Sequence, residues 1–384
     1  MKYTCLRILL ILCLFGCNSS ENDNFNKQGQ LIKITENGEF LSKLDMINFF
    51  STIEIVLLED SPNAIIGKPE KLRIYDNKFY IHDENRNCIT VFNANGEFIV
   101  STMNQEGRGP GQYVSCDKFT INPQNGNIIT LDPVKSTIFE YDLTGKFLEQ
   151  INYPKDLMMI DDFELLNEDI YAFYSAKGFK DRNNSLVLFK PKNNEIFKEL
   201  VPVQNQRLQV STNSNVLYRF NESLHLNHIY PSSSTYLIDN NTFELHEKYH
   251  FDFEKLNFDP SILPENPKLH NELMQDYYPK YAIIFDKFEN RKNVFVSFFH
   301  KNNSGMAIYC KDTQECVTKL NPPNSNGMLL SPQFVDNQYL YYLTSFEIAE
   351  YLIHPDLLSE SAVMQLEKSH KNDNMIIIKY KFNN

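Results

Sequence analysis

Hydrophobic residues recur along the chain in short runs that are separated by polar turns containing Asn, Asp and Gly. The runs are rich in Ile, Val, Phe and Tyr, and they are typical of β-strands rather than helices. Residues 80–83 (YIHD), 89–92 (ITVF) and 98–99 (FI) follow one another in this way, with a turn at Gly96 before the last run. We therefore predict antiparallel strands that are joined by tight turns.

The same arrangement returns 49 residues further along the chain, which indicates an internal repeat. Residues 129–132 (ITLD) and 138–141 (IFEY) match the first two runs, and a turn with Gly145 precedes the third. Each copy follows one more short strand, at residues 71–75 and 117–122. Four short strands in a unit of about 40–50 residues are typical of a β-propeller blade.

Later units are more divergent, but each still shows an outer pair of strands. The predicted pairs are 186–189 with 195–200, 235–239 with 243–251, and 305–310 with 316–320. The last strand, 375–382, and an apolar strand near the start, 52–58, have no partner of their own. Pairing these two completes a sixth blade and removes an exposed edge. The sequence thus predicts an all-β fold, a six-bladed β-propeller of four-stranded antiparallel blades closed by an N-terminal strand.

Two longer stretches interrupt the strand pattern and are predicted to be helical insertions. One is residues 251–280, where 265–278 has helical character after Pro264. The other is residues 345–370, where two short helices are separated at Pro355. Both insertions are expected on the face that joins the blades. They either wall a pocket, dock a partner or stabilise the ring, and the sequence leaves these alternatives open.

Composition and charge narrow the class of protein. The chain is 42% hydrophobic and 22% charged, which excludes an intrinsically disordered protein. Its 37 basic and 49 acidic residues give a net charge of −12. Because nucleic-acid binding requires a basic surface that neutralises phosphates, we expect no nucleic-acid partner.

The first 16 residues have the features of a secretion signal. Lys2 and Arg7 precede an apolar stretch, residues 9–15, that is too short to form a stable membrane-spanning helix. Residues 14–17 (LFGC) resemble a bacterial lipobox, which makes Cys17 the predicted site of lipid attachment. The alternative is an ordinary signal peptide with a chance cysteine.

These features give the predicted domain organisation. Residues 1–16 are a lipoprotein signal peptide, residues 17–50 are a lipid-anchored tether and lead-in, and residues 51–384 are the propeller. Cleavage removes two basic residues and no acidic one, so the mature chain keeps 35 basic and 49 acidic residues and a net charge of −14. Lipid on Cys17 would anchor the protein to a membrane without spanning it.

Two motifs resemble a known family. Asp83, Ile89, Val91 and Phe92 are spaced like the core of the NHL repeat. Residues 106–113 (EGRGPGQY) resemble the G-x-GPG-[EQ]-[FY] segment of the six-bladed propeller lipoproteins that are abundant in the Bacteroidota. The resemblance implies the propeller fold and an outer-membrane location, on the periplasmic or the cell-surface side. It implies no activity, because that family is largely without an assigned one.

Candidate ligand-binding residues lie in the loops on the face that joins the blades. In residues 106–113 the glycines leave backbone amides open to a ligand, Arg108 offers a planar fork to an anion, and Tyr113 offers a ring. The alternative is that this segment only connects two blades. Further candidates are basic or aromatic residues of other loops: Lys177, Arg182, Tyr277, Tyr278 and Lys280.

Other polar residues are assigned structural roles or none. Asp83 and Asp132 occupy equivalent positions in the two repeats, which indicates hydrogen bonds that order the local loops rather than acid–base catalysis. Cys310 and Cys316 flank a predicted hairpin turn and are candidates for a disulfide in an exported protein. The spacing of His and Cys residues indicates no zinc site, and no cofactor is expected.

Three functions are compatible with these observations. The first is a non-enzymatic binding or scaffold module of the outer membrane. It would hold a glycan, peptide or protein around the central channel, and an outer-membrane transporter is one candidate partner. The second is a metal-dependent or acid–base lyase or hydrolase with its site in the channel. The third is a structural interaction through the helical insertions. Convergent Asp, Glu, His or Arg side chains in the channel would favour the enzyme.

Overall fold

The computed structural model describes residues 29–203, 215–227, 233–259, 262, 276, 279–322, 327–369 and 374–383. These residues form six antiparallel sheets of four strands each, one of which gains a fifth strand. The first strands of neighbouring sheets contact one another around a central channel. The predicted six-bladed β-propeller is therefore confirmed.

Blades I to III follow the chain in order. Blade I has strands β5 to β8, blade II has β9 to β12 and blade III has β13 to β16. Their bounds are β5 Pro69–Tyr75, β6 Lys78–Asp83, β7 Cys88–Phe92, β8 Phe98–Ser101, β9 Lys118–Ile121, β10 Ile128–Asp132, β11 Thr137–Tyr141, β12 Phe147–Asn152, β13 Asp162–Asn167, β14 Ile170–Tyr174, β15 Asn184–Lys190 and β16 Glu195–Pro202.

Blades IV to VI complete the ring. Blade IV has β17 to β20, blade V has β21 to β24, and blade VI has β25 to β27 together with β4 from the start of the chain. Their bounds are β4 Phe50–Leu57, β17 Leu217–Phe220, β18 Ser223–Leu226, β19 Ser234–Ile238, β20 Leu245–Asp252, β21 Ile283–Glu289, β22 Asn293–His300, β23 Asn303–Cys310, β24 Cys316–Asn321, β25 Phe334–Val335, β26 Tyr339–Thr344 and β27 Ile376–Phe382.

The predicted closure of the ring is also confirmed. β27 pairs antiparallel with β4, with Ile378 opposite Ile55 and Tyr380 opposite Ile53. The outermost strand of the last blade thus comes from the N-terminal part of the chain. This pairing gives β4 a partner and leaves no open seam between the two ends of the propeller.

The hydrophobic core lies between the blades. Each of six buried clusters joins two neighbouring blades; Tyr80 and Ile89 of blade I, for example, pack with Phe119 and Phe139 of blade II. Strands with buried residues on both surfaces explain why the chain needs so many Ile, Phe and Tyr residues.

The part of the predicted lead-in that the structure describes, from residue 29 onwards, lies on the outer surface of the propeller. We call residues 30–45 the N-terminal strap. It contains β1 Gln30–Lys33, β2 Thr35–Glu36 and β3 Glu39–Phe40, and it leads into helix α1, Met46–Phe49. β1 pairs in parallel with β20 of blade IV, and Leu44 donates a backbone hydrogen bond of 2.8 Å to Thr318 of blade V. The strap therefore links blades IV, V and VI from outside.

The connections lie on two faces of the ring. The hairpin face contains the turns between first and second and between third and fourth strands, such as residues 76–77 and 93–97. The loop face contains the connections between blades and the loops between second and third strands, such as residues 102–117 and 84–87. Short 3-10 helices interrupt some of the connections: Thr102–Gln105, Pro191–Asn193, Glu254–Leu256 and Pro355–Leu357.

The predicted insertion of blade VI lies between β26 and β27, on the loop face. It contains helices α2, Phe346–Leu352, and α3, Glu360–Ser369, separated at Pro355 as predicted. Most of the other predicted insertion, residues 251–280, lies outside the described residues.

Candidate functional site

Charged side chains from the first strands of several blades converge in the central channel. Arg73 of β5 forms an ion pair with Glu164 of β13, although blades I and III are not neighbours. Thr120 of β9, in the blade between them, donates a hydrogen bond to the other oxygen of the same carboxylate. Arg73 and Glu164 are both buried, and these contacts join three blades across the channel.

A second layer of polar contacts lies nearer the loop face. Lys71 contacts Asp162 at 2.6 Å, and the other oxygen of Asp162 accepts a 3.0 Å hydrogen bond from the backbone N–H of Leu217. The side-chain amide of Asn215 donates a 3.2 Å hydrogen bond to the backbone oxygen of Gln333 in blade VI. The channel is therefore crossed by side chains and is not an open pore.

A third charged group joins blades I and II. Glu70 contacts His82 Nδ1 and Lys118 Nζ, each at 2.6 Å. Burial alone would raise the pKa of Glu70, but hydrogen bonds from His82 and Lys118 overcome this effect and lower the pKa to about 2. Glu70 thus remains ionised at any physiological pH.

A cavity of about 230 Å³ lies in the channel. Its lining includes Tyr75, Pro123 and Glu289, which end the first strands of their blades or follow them. Because each first strand runs from the loop face to the hairpin face, the cavity lies toward the hairpin face. The lining also includes Arg73, Glu164, Arg219, Tyr218, Phe288 and Phe334.

Arg219 is the less satisfied of the two arginines in the cavity. Its Nη2 donates a 3.2 Å hydrogen bond to the backbone oxygen of Leu166, and its buried Nε has no hydrogen-bond partner in the described structure. Burial lowers the pKa of Arg219; the charge of Glu164 opposes this effect, and the charge of Arg73 adds to it. Within the described residues, Glu164 already pairs with Arg73, and Arg219 has no ion pair of its own.

Glu289 connects the cavity to a cluster between blades IV and V. Its fully buried carboxylate contacts Lys248 Nζ at 2.6 Å and Lys311 Nζ at 2.7 Å. It also accepts hydrogen bonds of 3.0 Å from the hydroxyls of Tyr218 and Tyr249. Burial would raise the pKa of Glu289, but the neighbouring positive charges lower it.

His225 belongs to the same cluster as a neutral side chain. Its ring stacks on Tyr218 with centroids 5.0 Å apart, and Lys248 lies 2.9 Å from its Nε2. Burial, followed by the charge of Lys248, lowers the pKa of His225 to about 4. The cluster therefore combines two lysines, one carboxylate and a neutral imidazole.

Comparison with known proteins places the chain in a family. The family model described as "Domain of unknown function (DUF4934)" matches residues 30–381, which include the strap and all six blades. The chain belongs to the DUF4934 family. No curated protein sequence is significantly similar to it.

Two solved structures share the fold of this DUF4934 protein. A Bacteroides fragilis protein classed as exported is 16% identical, with a TM-score of 0.68 over 93% of this chain and 100% of that one. A DUF4221 family member from Bacteroides vulgatus is 9% identical, with a TM-score of 0.53 over 87% of this chain and 98% of that one. The predicted relationship to Bacteroidota propellers is confirmed at the level of fold.

The glycine-rich loop of the DUF4934 protein is a folded connection between blades I and II. The N–H of Gly107 donates to the backbone oxygen of Tyr113 at 2.7 Å, and that of Gly109 donates to the Gln112 side chain at 2.9 Å. These amides are therefore engaged within the loop. Gly111 has a φ of +70°, and a Cβ there would lie 2.6 Å from the ring of Phe147.

The structure corrects the predicted role of Tyr113. The side chain is 0% exposed, and its hydroxyl donates a 2.9 Å hydrogen bond to the backbone oxygen of Thr102. Its ring packs edge-on against Tyr141. A residue enclosed in the core between blades I and II cannot contact an external ligand, so the prediction is wrong for Tyr113. Arg108 is exposed, and its ligand-binding role stays a prediction.

The other predicted residues do not form one site. Arg182 is held between Asp156, at 2.8 Å, and Glu199, so its charge is already paired. Lys177 and Lys280 are exposed, in the second-to-third-strand loop of blade III and the connection to blade V. Tyr277, Tyr278 and Cys17 lie outside the described residues, as do residues 1–16. Roles for Lys177, Lys280 and these residues stay predictions.

The repeated aspartates order their loops, in agreement with the sequence analysis. Asp83 accepts hydrogen bonds from the N–H groups of Gly67 and Lys68, at 2.6 and 3.0 Å. Asp132 accepts from the N–H groups of Val114 and Val134, at 2.6 and 2.8 Å. Both carboxylates are fully buried and tie a blade connection to its neighbouring strand.

The predicted disulfide between Cys310 and Cys316 is wrong, because both thiols are free. In the hairpin of β23 and β24, Cys316 lies opposite Tyr309 and not opposite Cys310. Since successive side chains of a strand point to opposite surfaces, Cys310 and Cys316 point away from each other. Cys316 is buried between blades IV and V, whereas Cys310 is half-buried at the turn.

Two negative findings apply to the residues that the structure describes. No group of three or more His, Cys, Asp or Glu side chains is placed to hold a metal ion. Within the same residues, no helix is long and hydrophobic enough to cross a membrane.

The channel residues were missed by the sequence analysis, although a signal was present. Lys71 and Arg73 occur inside an apolar strand (KLRIY), Glu164 inside DFELL, and Arg219 inside LYRF. Each lies in the first strand of a blade, which borders the channel in a propeller. Charged residues inside the innermost strands of blades I, III and IV are therefore the pattern that would have located this cavity.

Proposed function

We propose that this protein is a lipid-anchored binding protein of the outer membrane that holds a small ligand in its central channel without converting it. Two observations support the location: the lipobox-like sequence that ends at Cys17, and the likeness in fold to a Bacteroides protein classed as exported. The anchor would hold the propeller at the membrane surface.

Charged side chains converge in the channel, which alone would favour an enzyme. The observation that supports binding instead is the pairing of three of the channel carboxylates. Glu164 is engaged by Arg73, Asp162 by Lys71, and Glu289 by Lys248 and Lys311. A general acid or base needs a proton that it can exchange with a substrate, and a carboxylate held by a cation is poorly suited to that task. The cavity nevertheless has the mixture of apolar walls and a few polar groups that ligand sites have.

The site proposed here is the channel cavity, nearer the hairpin face, rather than the loop face favoured by the sequence. Its volume of about 230 Å³ lies below the range of about 300–1,000 Å³ that drug-sized ligands occupy. A glycan or peptide would therefore enter with one terminal group only. A second macromolecular partner, such as a transporter, would bind elsewhere on the surface.

The test is a thermal-shift screen of the purified protein against small carboxylates, amines, monosaccharides, short peptides and divalent metals. A ligand that binds the native state alone raises the unfolding free energy by about 2.7 kcal/mol at a hundredfold excess over its dissociation constant. A stabilising ligand that is recovered unchanged supports the proposal, whereas a ligand that is consumed contradicts it.

The anchor is tested separately by Cys17→Ala. If Cys17 is lipidated, the variant is released from the membrane fraction, whereas the wild-type protein stays with it. A Cys17→Ala variant that remains membrane-bound contradicts lipid attachment at this residue.

A further inference from the structure

The channel cavity has an excess of positive charge. Arg73 and Arg219 line it together with a single partner carboxylate for the two, Glu164. Glu289, on its other side, is shared by two lysines. Two arginines and two carboxylates thus line the cavity, and the two lysines that contact Glu289 from outside the lining bring the cationic side chains to four, in a protein whose net charge is −12.

This local excess is unusual because the charges are partly buried. Arg73 is 8% exposed, and Arg219 is half-buried. A buried cation without a counter-charge is costly, and buried guanidinium groups in proteins are therefore normally paired. Among the described residues Arg219 forms no ion pair; burial lowers its pKa, the charge of Glu164 opposes this effect, and repulsion by Arg73 adds to it.

Hydrogen-bond donors of both guanidinium groups remain unused. A guanidinium has five N–H donors in a planar fork. Among the described residues, Arg219 uses only Nη2, and the hydrogen bonds of Arg73 to Glu164 and Leu217 both come from its Nη2. Neither Nη1 has a hydrogen-bond partner among the described residues, and Glu164 already accepts from Arg73 and Thr120.

The remaining walls limit what that acceptor can belong to. Tyr75, Phe288 and Phe334 form an apolar and aromatic lining beside the two arginines. The small volume excludes a large ligand from the cavity itself. A planar carboxylate fits the fork geometry of a guanidinium, with a short apolar or aromatic group packed on these rings.

We infer that the channel cavity is a site for a small organic carboxylate, whose negative charge is held by Arg219 with the support of Arg73. This inference rests on the proposed function as a binding protein and adds the chemical class of the ligand. The ligand would give Arg219 the ion-pair partner that it lacks among the described residues and would join blades I and IV at the channel.

The experiment compares acetate, succinate and benzoate with their neutral amides, acetamide, succinamide and benzamide, by titration calorimetry on the purified full chain at low ionic strength. At least one carboxylate should bind, and its amide should bind at least tenfold more weakly. Arg219→Gln should weaken binding of that carboxylate about tenfold or more, the usual effect of losing a charge-assisted hydrogen bond. Arg219→Lys, which keeps the charge but not the fork, should weaken it less.

Lys33→Gln is the matched control, because it also removes one positive charge, from an exposed position of the N-terminal strap outside the cavity. Its affinity should equal that of the wild type. If Arg219→Gln does not fold, two measurements still test the inference. They are the affinity of each acid relative to its amide in the wild type, and the affinity of the acid for Arg219→Lys. Equal binding of acid and amide, or unchanged affinity in both Arg219 variants, overturns the inference.

The thermal-shift screen and the carboxylate titrations together distinguish failure of the carboxylate site from failure of the binding function. If the protein binds neutral sugars, peptides or amines but none of the carboxylates, the carboxylate site is wrong and the binding function stands. If no small molecule of any class binds, both are wrong.

Discussion

Arg73 and Glu164 form an ion pair across the central channel, between first strands that are separated by a whole blade. Thr120, from the blade between them, binds the same carboxylate. The three residues are buried, so the contact depends on the ring having closed to its final diameter. The pair therefore reports on ring geometry as well as on local stability.

Removing one partner of this pair should destabilise the propeller strongly. Glu164→Gln removes the carboxylate that pairs with Arg73, and the loss of one member of a buried ion pair costs about 3–5 kcal/mol. Urea unfolding measures the change. The double variant Arg73→Met/Glu164→Leu, which removes both charges, should lose less stability than Glu164→Gln alone. A single variant within about 1 kcal/mol of the wild type would show that the pair does not stabilise the ring.

The lowered pKa of Glu70 should make the unfolding free energy decrease in acid. Its folded-state pKa of about 2 lies below its ordinary value of 4.5, so its stabilising effect is complete above pH 4.5 and is lost as the pH falls toward 2. Linkage puts this contribution on the order of 2–3 kcal/mol. Glu70→Gln should remove this part of the pH dependence of the unfolding free energy. Glu84→Gln, at an exposed ion pair of the same blade, should leave it intact.

The four cysteines that the structure describes should differ in reactivity. Cys310 is half-buried, and although burial raises the pKa of its thiol, hydrogen bonds from Thr313 and the turn backbone lower it overall. Burial raises the pKa of Cys316 to about 12. Alkylation of the native, unreduced protein should modify Cys310 and spare Cys316, Cys88 and Cys116, as peptide mass spectrometry would show. Recovery of Cys310 and Cys316 in one cross-linked peptide would instead establish the disulfide.

The N-terminal strap should contribute to stability through one of its two surfaces. Ile32 is 1% exposed and packs between blades IV and V, whereas its neighbour Leu31 is 51% exposed. Ile32→Ala should destabilise the protein by about 2–5 kcal/mol, and Leu31→Ala should have little effect. Thermal and urea unfolding of the two variants give a matched comparison. Similar behaviour of both would mean that the strap is not part of the folded core.

The outer hairpins and the ring closure were predictable because their signals are local. Gly96 and Gly145 mark turns between alternating strands, and β4 and β27 each lacked a partner in sequence. The strap had no such signal. Its strand β1 has only four residues and pairs in parallel with β20, with Gln30 opposite Tyr249. A strand this short has no hydrophobic pattern in the sequence that would indicate a partner more than 200 residues away.

The site was less predictable because it depends on distance across the ring. Tyr113 follows a glycine-rich loop, and sequence alone does not tell whether its ring turns outward or toward Tyr141. Arg73 and Glu164 are 91 residues apart, and their pairing follows from the closed propeller rather than from either strand. Charges inside innermost strands are detectable, but which of them remains unpaired is not.

The pairing of β4 with β27 sets an order of events during synthesis. β4 leaves the ribosome well before its partner β27, because the strands of all the other blades lie between them in the chain. Contacts between such distant segments form late, because the intervening chain must first be ordered. Blade VI is thus the last to assemble, and β4 stays unpaired until β27 has been made. A chain that stops before Ile376 would have five complete blades and an unpaired β4. The exposed edge of that strand would make the incomplete protein prone to aggregation and degradation.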